Sequence, residues 1–254
     1  MTGRIAWISR TPVKALALEH LDEAELGEGG IEGDRVFYLV GEAGRLISNK
    51  DFAVLQLVHA SSDGETLTLT LPDGRVVEGT IECGEEVQTS FHKRPRAARL
   101  VVGPWGDALS ELAGEPLRLV MPESSAVDRG RSGAASLLAT ASLTALGGVL
   151  GVDAVDGRRF RMNFGIEGLE PHEEDSWLRQ KVRLGDAVVI PHGHVGRCVV
   201  TTQNPVTGSS DLDTLKGLAA YRRELDATEP LPFGVHAAVT RPGRVRVGDP
   251  VGLF

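Results

Sequence analysis

Two cysteines, Cys83 and Cys198, are all the thiols in this chain of 254 residues. A ferredoxin-type iron-sulfur cluster takes four thiolates, so these two exclude one held by this chain alone, and any redox chemistry must draw its electrons from a partner. At most one disulfide is available and a reducing compartment disfavours it, so both are read as free thiols. Long apolar runs are also missing. No window approaches the roughly 18 residues of a membrane span, and the opening MTGRIAWISRTPVKAL lacks the basic-then-apolar build of a secretion signal. The expectation is a cytoplasmic protein with no membrane contact. Positive charge is in the minority: 27 Lys and Arg face 35 Asp and Glu, a net charge of -8, which argues against general attraction to nucleic acid or an anionic surface. Any anion site must therefore be a local cluster of cations.

What is present is apolar content of 41%, enough for a sizeable core, cut by 31 Gly and 13 Pro into many short elements. The expected class is mainly β with flanking helices, α+β, in two closely packed units. RIAWISR, VFYLVG, AVLQLVHA, TLTLTLPDGRVVEGT and RAARLVV read as strands, with LPDGRV as a hairpin turn. WGDALSELAG reads as a helix stopped by Gly114, with Asp107 a candidate cap, and PLRLVMP as a strand. LLATASLTALGGVLG predicts a helix opening near Thr140 or Ser142 and ending at Gly147-Gly148. RRFRMNFGIEG, KVRLGDAVVIP and GRCVVTTQ are expected as strands. SDLDTLKGLAAYRREL reads as an amphipathic helix with Leu212, Leu215, Leu218 and Ala219 on one face and Lys216, Arg222 and Arg223 elsewhere. FGVHAAVTRPGRVRVGDPVGLF reads as two strands about a Pro-Gly turn.

Taken by itself, Cys198 is ordinarily a small buried hydrophobe. Arg197 beside it favours the reactive thiolate only if the backbone bends, because neighbours on a strand face opposite ways. His192 and His194 would share a strand face, a geometry seen in metal sites, but two ligands do not make one. The acidic run HEEDSW offers carboxylates, although such runs are ordinarily solvated turns. Lys14, Arg35, Arg159 and Arg161 sit in apolar strand contexts. They need either carboxylate partners such as Asp34 or Glu170, or an anionic ligand. Arg159 and Arg161 alternate and should face one way, with Asn163 following on the same face. Thr140 and Ser142 at a helix start would either cap it or offer N–H and hydroxyl groups to a phosphate.

In order, TPVKAL, GIEGDRVFYLV, LLATASL, RRFRMN, EDSW, LGDAVV, GRCVVTTQNPVTG and FGVHAAVTRPGRVRVGDPV resemble the MOSC family, named for the C-terminal domain of molybdenum-cofactor sulfurase, in the form that carries an additional N-terminal β-barrel. The resemblance implies a smaller N-terminal barrel over 1–119 packed on a MOSC barrel over 120–254, with a molybdenum-pterin cofactor in the cleft between them. It implies Cys198 as the molybdenum ligand or a sulfur carrier, and Lys14, Arg35, Thr140, Ser142, Arg159, Arg161, Asn163 and Arg197 as cofactor-binding residues. Asp175 is then a candidate for proton delivery. Family members usually have Ser at the positions of Ala15 and Gly196 and Tyr at that of Thr11, so part of the usual polar shell is replaced here.

The layout is most similar to amidoxime-reducing components. The leading expectation is an oxidoreductase that reduces N-hydroxylated small molecules and takes its electrons from a separate reductase. The alternatives are a sulfur carrier that holds a Cys198 persulfide, and a non-catalytic carrier of the cofactor.

Overall fold

The computed structural model of the chain describes residues 2–123 and 126–254. Its largest sheet closes on itself. The strands Phe164–Glu167, Ala135–Ala139, Pro232–Arg241, Ala187–Gly196, Val182–Leu184, Pro250–Leu253 and Gly3–Arg10 pair in that order, and Gly3–Arg10 returns to Phe164–Glu167 to complete a seven-strand barrel. Period-two patterning explains the closure. Leu137 and Ala139, Phe164 and Ile166, Val182 and Leu184, Ala187 and Val189, and Val235 and Ala237 are all buried in one cluster that fills the barrel.

The outer wall is covered by two helices, α2 (Thr140–Leu150) and α3 (Thr214–Arg222), following a first helix α1 (Trp105–Ala113) in the N-terminal unit. Leu138 points opposite to its neighbours Leu137 and Ala139 and joins Leu143, Leu146, Leu218 and Phe233 in a separate cluster beneath these helices. The N-terminal unit holds a five-stranded sheet, which includes Tyr38–Val40, Glu82–Phe91 and Arg118–Pro122, and the three-stranded sheet His59–Ser62, Thr66–Thr70, Val76–Thr80. Trp105 and Leu109 of α1 pack on Leu55, Leu67 and Leu119, with the buried Trp105 indole N–H donating to the Leu67 carbonyl at 3.0 Å.

The two units interleave along the chain. Gly3–Arg10 belongs to the barrel otherwise built after residue 134, and the expected break at 119/120 falls inside the strand Arg118–Pro122.

Several local expectations are corrected. Ala53–Leu57 is a 3-10 turn ahead of the strand His59–Ser62. Helix α2 runs through Gly147 and Gly148 to Leu150 and stops at Gly151 in the left-handed region. The segment read as RRFRMN strand is a 3-10 turn, Gly157–Phe160, capped by Arg161 at φ 54°, so strand alternation does not orient Arg159 and Arg161. The strand before Cys198 ends at Gly196, and Val199–Thr202 is a 3-10 turn. In α3, Arg222 is buried rather than on a solvent face, and Asp213 caps the start by accepting from the Lys216 N–H at 3.0 Å. The C-terminal stretch makes three strands, the middle one Gly243–Arg246 pairing with Glu23–Gly27.

Candidate functional site

Where Gly3–Arg10 leaves the barrel, the chain turns through Thr11 to Ala15, and the buried carboxylate of Asp34 fixes that turn. Asp34 Oδ1 accepts the Thr11 N–H at 2.9 Å, Oδ2 accepts the Asn163 amide at 3.0 Å, and Oδ2 also holds the Arg35 guanidinium. Arg35 passes a second hydrogen bond, 3.1 Å, to the Arg161 carbonyl, so three separate chain segments meet on one carboxylate. They border a cleft of about 540 Å³, a size typical of small-molecule sites.

Backbone strain concentrates at this cleft. Among the described residues, eight non-glycine residues have positive φ, and five of them, Ala15, Arg35, His92, Lys93 and Arg161, line it. Such conformations cost roughly 1–3 kcal/mol each and persist only where surrounding structure enforces them.

Its electrostatics oppose those of the whole protein. Nine Lys and Arg residues line the cleft against two acids, Asp51 and Asp128, in a chain of net charge -8. Five of the nine are ion-paired: Lys14 with Asp128, Arg35 with Asp34, Arg45 with Asp51, Arg129 with Glu229 and Arg159 with Asp211. Lys50 and Lys93 are exposed to water. Arg161 and Arg197 are turned inward and have no carboxylate partner among the described residues. Arg161 donates to the Leu16 carbonyl at 2.6 Å; Arg197 donates to the carbonyls of Phe160 at 2.8 Å and Phe233 at 2.9 Å. Burial, with Arg35 nearby, pulls Arg161 down to about 10, and burial pulls Arg197 down to about 9. Lys14 is also lowered, by burial first and by Arg35 and Arg161 against the opposing pull of Asp128. Arg161 and Arg197 remain cationic at neutral pH, and an anion in the cleft would favour the charged form of all three.

Cys198 stands on the same wall, half-buried in extended backbone at φ -132°, with its carbonyl accepting the Thr201 N–H at 3.1 Å. The bend after Gly196 brings Arg197 and Cys198 to one cavity, which a continuous strand would have prevented. Of the residues expected to bind cofactor, Lys14, Arg35, Arg159, Arg161, Asn163 and Arg197 line the cleft with Cys198. Four are already engaged: Lys14 and Arg35 in their ion pairs with Asp128 and Asp34, Arg159 with Asp211 at 2.7 Å, and the Asn163 amide with Asp34, the Ser9 carbonyl and Ser136.

The structure does not bring Thr140, Ser142 or Asp175 to this cleft. Ser142 is fully buried, and its hydroxyl accepts the His172 N–H at 2.8 Å, so it ties α2 to the turn before Glu173–Trp177. Thr140 opens α2 outside the cleft lining. Asp175 pairs with Arg222 at 2.6 Å and lies 3.6 Å from His194 Nε2. The acidic run is no solvated turn: Glu174 is completely buried, and burial first, then Asp175, raises it to about 8. His192 and His194 do not share a face, because register shifts on both sides leave His192 exposed and His194 buried. The described residues hold no group of three His, Cys, Asp or Glu placed to share a metal ion.

Sequence reasoning missed Asp128, Arg129 and His236. Asp128 bridges Lys14 at 2.6 Å and His92 at 2.8 Å, its carboxyl held far below the usual range against burial by those two groups. His236 lines the cleft with Nδ1 at 2.7 Å from the Ser132 carbonyl; a carbonyl only accepts, so Nδ1 carries the proton and Nε2 is left open. Only the adjacency of Asp34 to Arg35 was visible in the sequence.

The MOSC domain matches residues 125–252 and the MOSC N-terminal beta barrel domain residues 2–102. Human mitochondrial amidoxime-reducing component 1 is 28% identical over 99% of this chain and 83% of its own length. The mouse protein of the same name is 28% identical over 99% of this chain and 82% of its own. Molybdenum cofactor sulfurase of Oryza sativa subsp. japonica is 36% identical over 28% of this chain and 8% of its own. With matches to both domain models along its length, the chain belongs to the MOSC family in the form that carries the MOSC N-terminal beta barrel domain.

Proposed function

We propose that this protein binds a molybdenum-pterin cofactor in the cleft and uses it to reduce N-hydroxylated small molecules, with Cys198 as the metal's protein ligand. The observation that carries the reading is the pair of inward-facing, carboxylate-free guanidiniums, Arg161 and Arg197, on the same cavity as the Cys198 thiol. These residues fit the group. A pterin phosphate is a dianion, which suits Arg161, Arg35 and Lys14, and a soft thiolate suits a metal that already carries sulfur ligands.

When bound, the cofactor would supply two-electron redox chemistry at its metal. The chain's residues do the rest. Lys14, Arg35 and Arg161 hold the phosphate. The Asp34 junction keeps the segments of Thr11, Arg35 and Asn163 in one arrangement. Converting N–OH to N–H takes two electrons and two protons and releases water. His236, with Nδ1 committed to the Ser132 carbonyl, is one titratable group lining the cleft that can hold one of those protons. The electrons come from a separate reductase, since two cysteines cannot bind a four-thiolate cluster.

The test is the metal and pterin content of protein produced with cofactor synthesis active, together with reduction of a benzamidoxime by a chemical donor. Near-stoichiometric molybdenum, lost in Cys198→Ser, is expected; absence of both molybdenum and pterin sinks the reading. A gain of one sulfur atom on Cys198 in metal-free protein favours the sulfur-carrier alternative.

A further inference from the structure

The glycines in the HGHVG stretch, residues 192–196, have a structural cause. The strand Ala187–Gly196 loses its regular ladder before it ends: register shifts fall between Pro191 and Gly193 and between His194 and Gly196, and Gly196 faces Pro232, which has no N–H. Backbone N–H groups released from a ladder need acceptors. One neighbouring segment supplies two. His194 donates its N–H to Thr228 Oγ1 at 2.8 Å, and Gly196 donates its N–H to Glu229 Oε2 at 2.8 Å.

The segment lies so close that the strand needs glycine at both points. A Cβ on Gly193 would sit 2.7 Å from Thr228 Oγ1, and a Cβ on Gly196 would sit 2.7 Å from Glu229 Oε2 and 2.9 Å from the Pro230 carbonyl oxygen. The Ser usual in the family at 196 therefore has no room here, and the Glu229 carboxylate occupies its place. Glu229 is clamped from its other side: Arg129 Nη2 reaches its two oxygens at 2.6 and 2.8 Å, and Arg129 Nε reaches Oε1 at 3.1 Å. A bidentate pair fixes the plane of the carboxylate as well as its charge. Burial alone would raise Glu229, but Arg129 and the Gly196 N–H outweigh it and leave the carboxyl below its usual range.

We propose that Glu229, clamped by Arg129, is a positioning residue for Cys198: by holding the Gly196 N–H it sets the turn through Arg197 that keeps the thiol on the cleft wall. This rests on the reading of Cys198 as the working residue, whether it ligates metal or carries sulfur. The turn needs an acceptor at position 229, while Arg129 needs its charge. Glutamine keeps the acceptor and alanine keeps neither, so the two substitutions separate positioning from general stability.

The experiment measures alkylation of Cys198 by iodoacetamide at one fixed pH, by mass spectrometry of cofactor-free protein in a Cys83→Ser background. Glu229→Gln should stay within about threefold of the parent. Glu229→Ala should react about tenfold faster as the turn opens, the order expected for losing one charge-assisted hydrogen bond. Gly196→Ala should match Glu229→Ala, because its Cβ expels the carboxylate. If Glu229→Ala does not fold, Arg129→Met, which leaves Glu229 unclamped, should give the faster reaction. An unchanged or slower rate in a folded Glu229→Ala or Arg129→Met protein overturns the proposal. A Cys198→Ser protein with full cofactor content and activity instead overturns the reading of Cys198, a result the alkylation rates do not affect.

Discussion

Replacing Arg161 with glutamine should separate affinity for an anion from stability of the fold. In the cleft without ligand, Arg161 is an inward cation with no carboxylate partner, held by one hydrogen bond to the Leu16 carbonyl. Glutamine removes the cost of burying that charge and leaves one buried carbonyl unpaired, a loss of about 1–3 kcal/mol, so the two effects largely offset and the ligand-free melting temperature should move little. Anion binding should change much more. A charge-assisted hydrogen bond contributes about 1.5–3 kcal/mol, which is a loss of roughly 10- to 150-fold in affinity. Inorganic pyrophosphate at a hundred times its dissociation constant stabilises the parent by about 2.7 kcal/mol, or roughly 5–11 °C for a chain of this size. For a variant tenfold weaker the same concentration gives about 1.4 kcal/mol, and for one a hundredfold weaker about 0.4 kcal/mol. Arg45→Gln is the control, because Arg45 is exposed and already paired with Asp51 at 2.9 Å, and screened charges of that kind contribute little. Thermal melts with pyrophosphate, and with sodium chloride matched in ionic strength, decide it. If Arg161→Gln keeps the parent's shift, or chloride reproduces that shift, then the inward guanidinium does not bind anions and the reasoning about the cleft fails.

Glu174 should make stability fall as pH rises. Its folded value is raised from 4.5 to about 8, so the folded protein keeps a proton that the unfolded chain releases, and stability drops by up to about 1.4 kcal/mol per pH unit across that window; in denaturant melts at pH 6 and pH 8, Glu174→Gln should lose this dependence. Gly147→Ala and Gly148→Ala in α2 should have opposite signs. A Cβ at 147 would meet Ala154 Cα and the Val152 carbonyl at 2.8 Å, while nothing lies within 4 Å at 148. Helix propensity favours alanine by about 1 kcal/mol at both, but overpacking against backbone costs about 1–3 kcal/mol at 147, so urea midpoints should fall for the first and rise for the second. Arg222→Met strands the Asp175 carboxylate, which it now holds at 2.6 Å, and should cost about 3–5 kcal/mol in the same assay.

The sequence made the barrel legible because period-two patterning survives in short strands: Leu137 and Ala139, or Val235 and Ala237, show which face is inside without any knowledge of partners. It failed where the chain bends. Arg161 and Cys198 were assigned to strands, yet they follow 3-10 and bulged segments whose geometry depends on distant groups such as Leu16, Phe233 and Glu229. The acidic run looked solvated because nothing local reveals that Glu174 is covered by the barrel and its helices.

The sequence by itself determined the alternation that closes the barrel, the cysteine count that leaves these 254 residues too few thiols for a four-thiolate iron-sulfur cluster, and the motif order that marks the family. Only the tertiary structure decided which cations face the cleft. Whether a guanidinium is unpaired depends on carboxylates far away in the chain, so Arg159 finds Asp211 while Arg161 and Arg197 find no carboxylate among the described residues. The same holds for Gly196: its missing side chain is local, but the reason for it is the Glu229 carboxylate that fills the space.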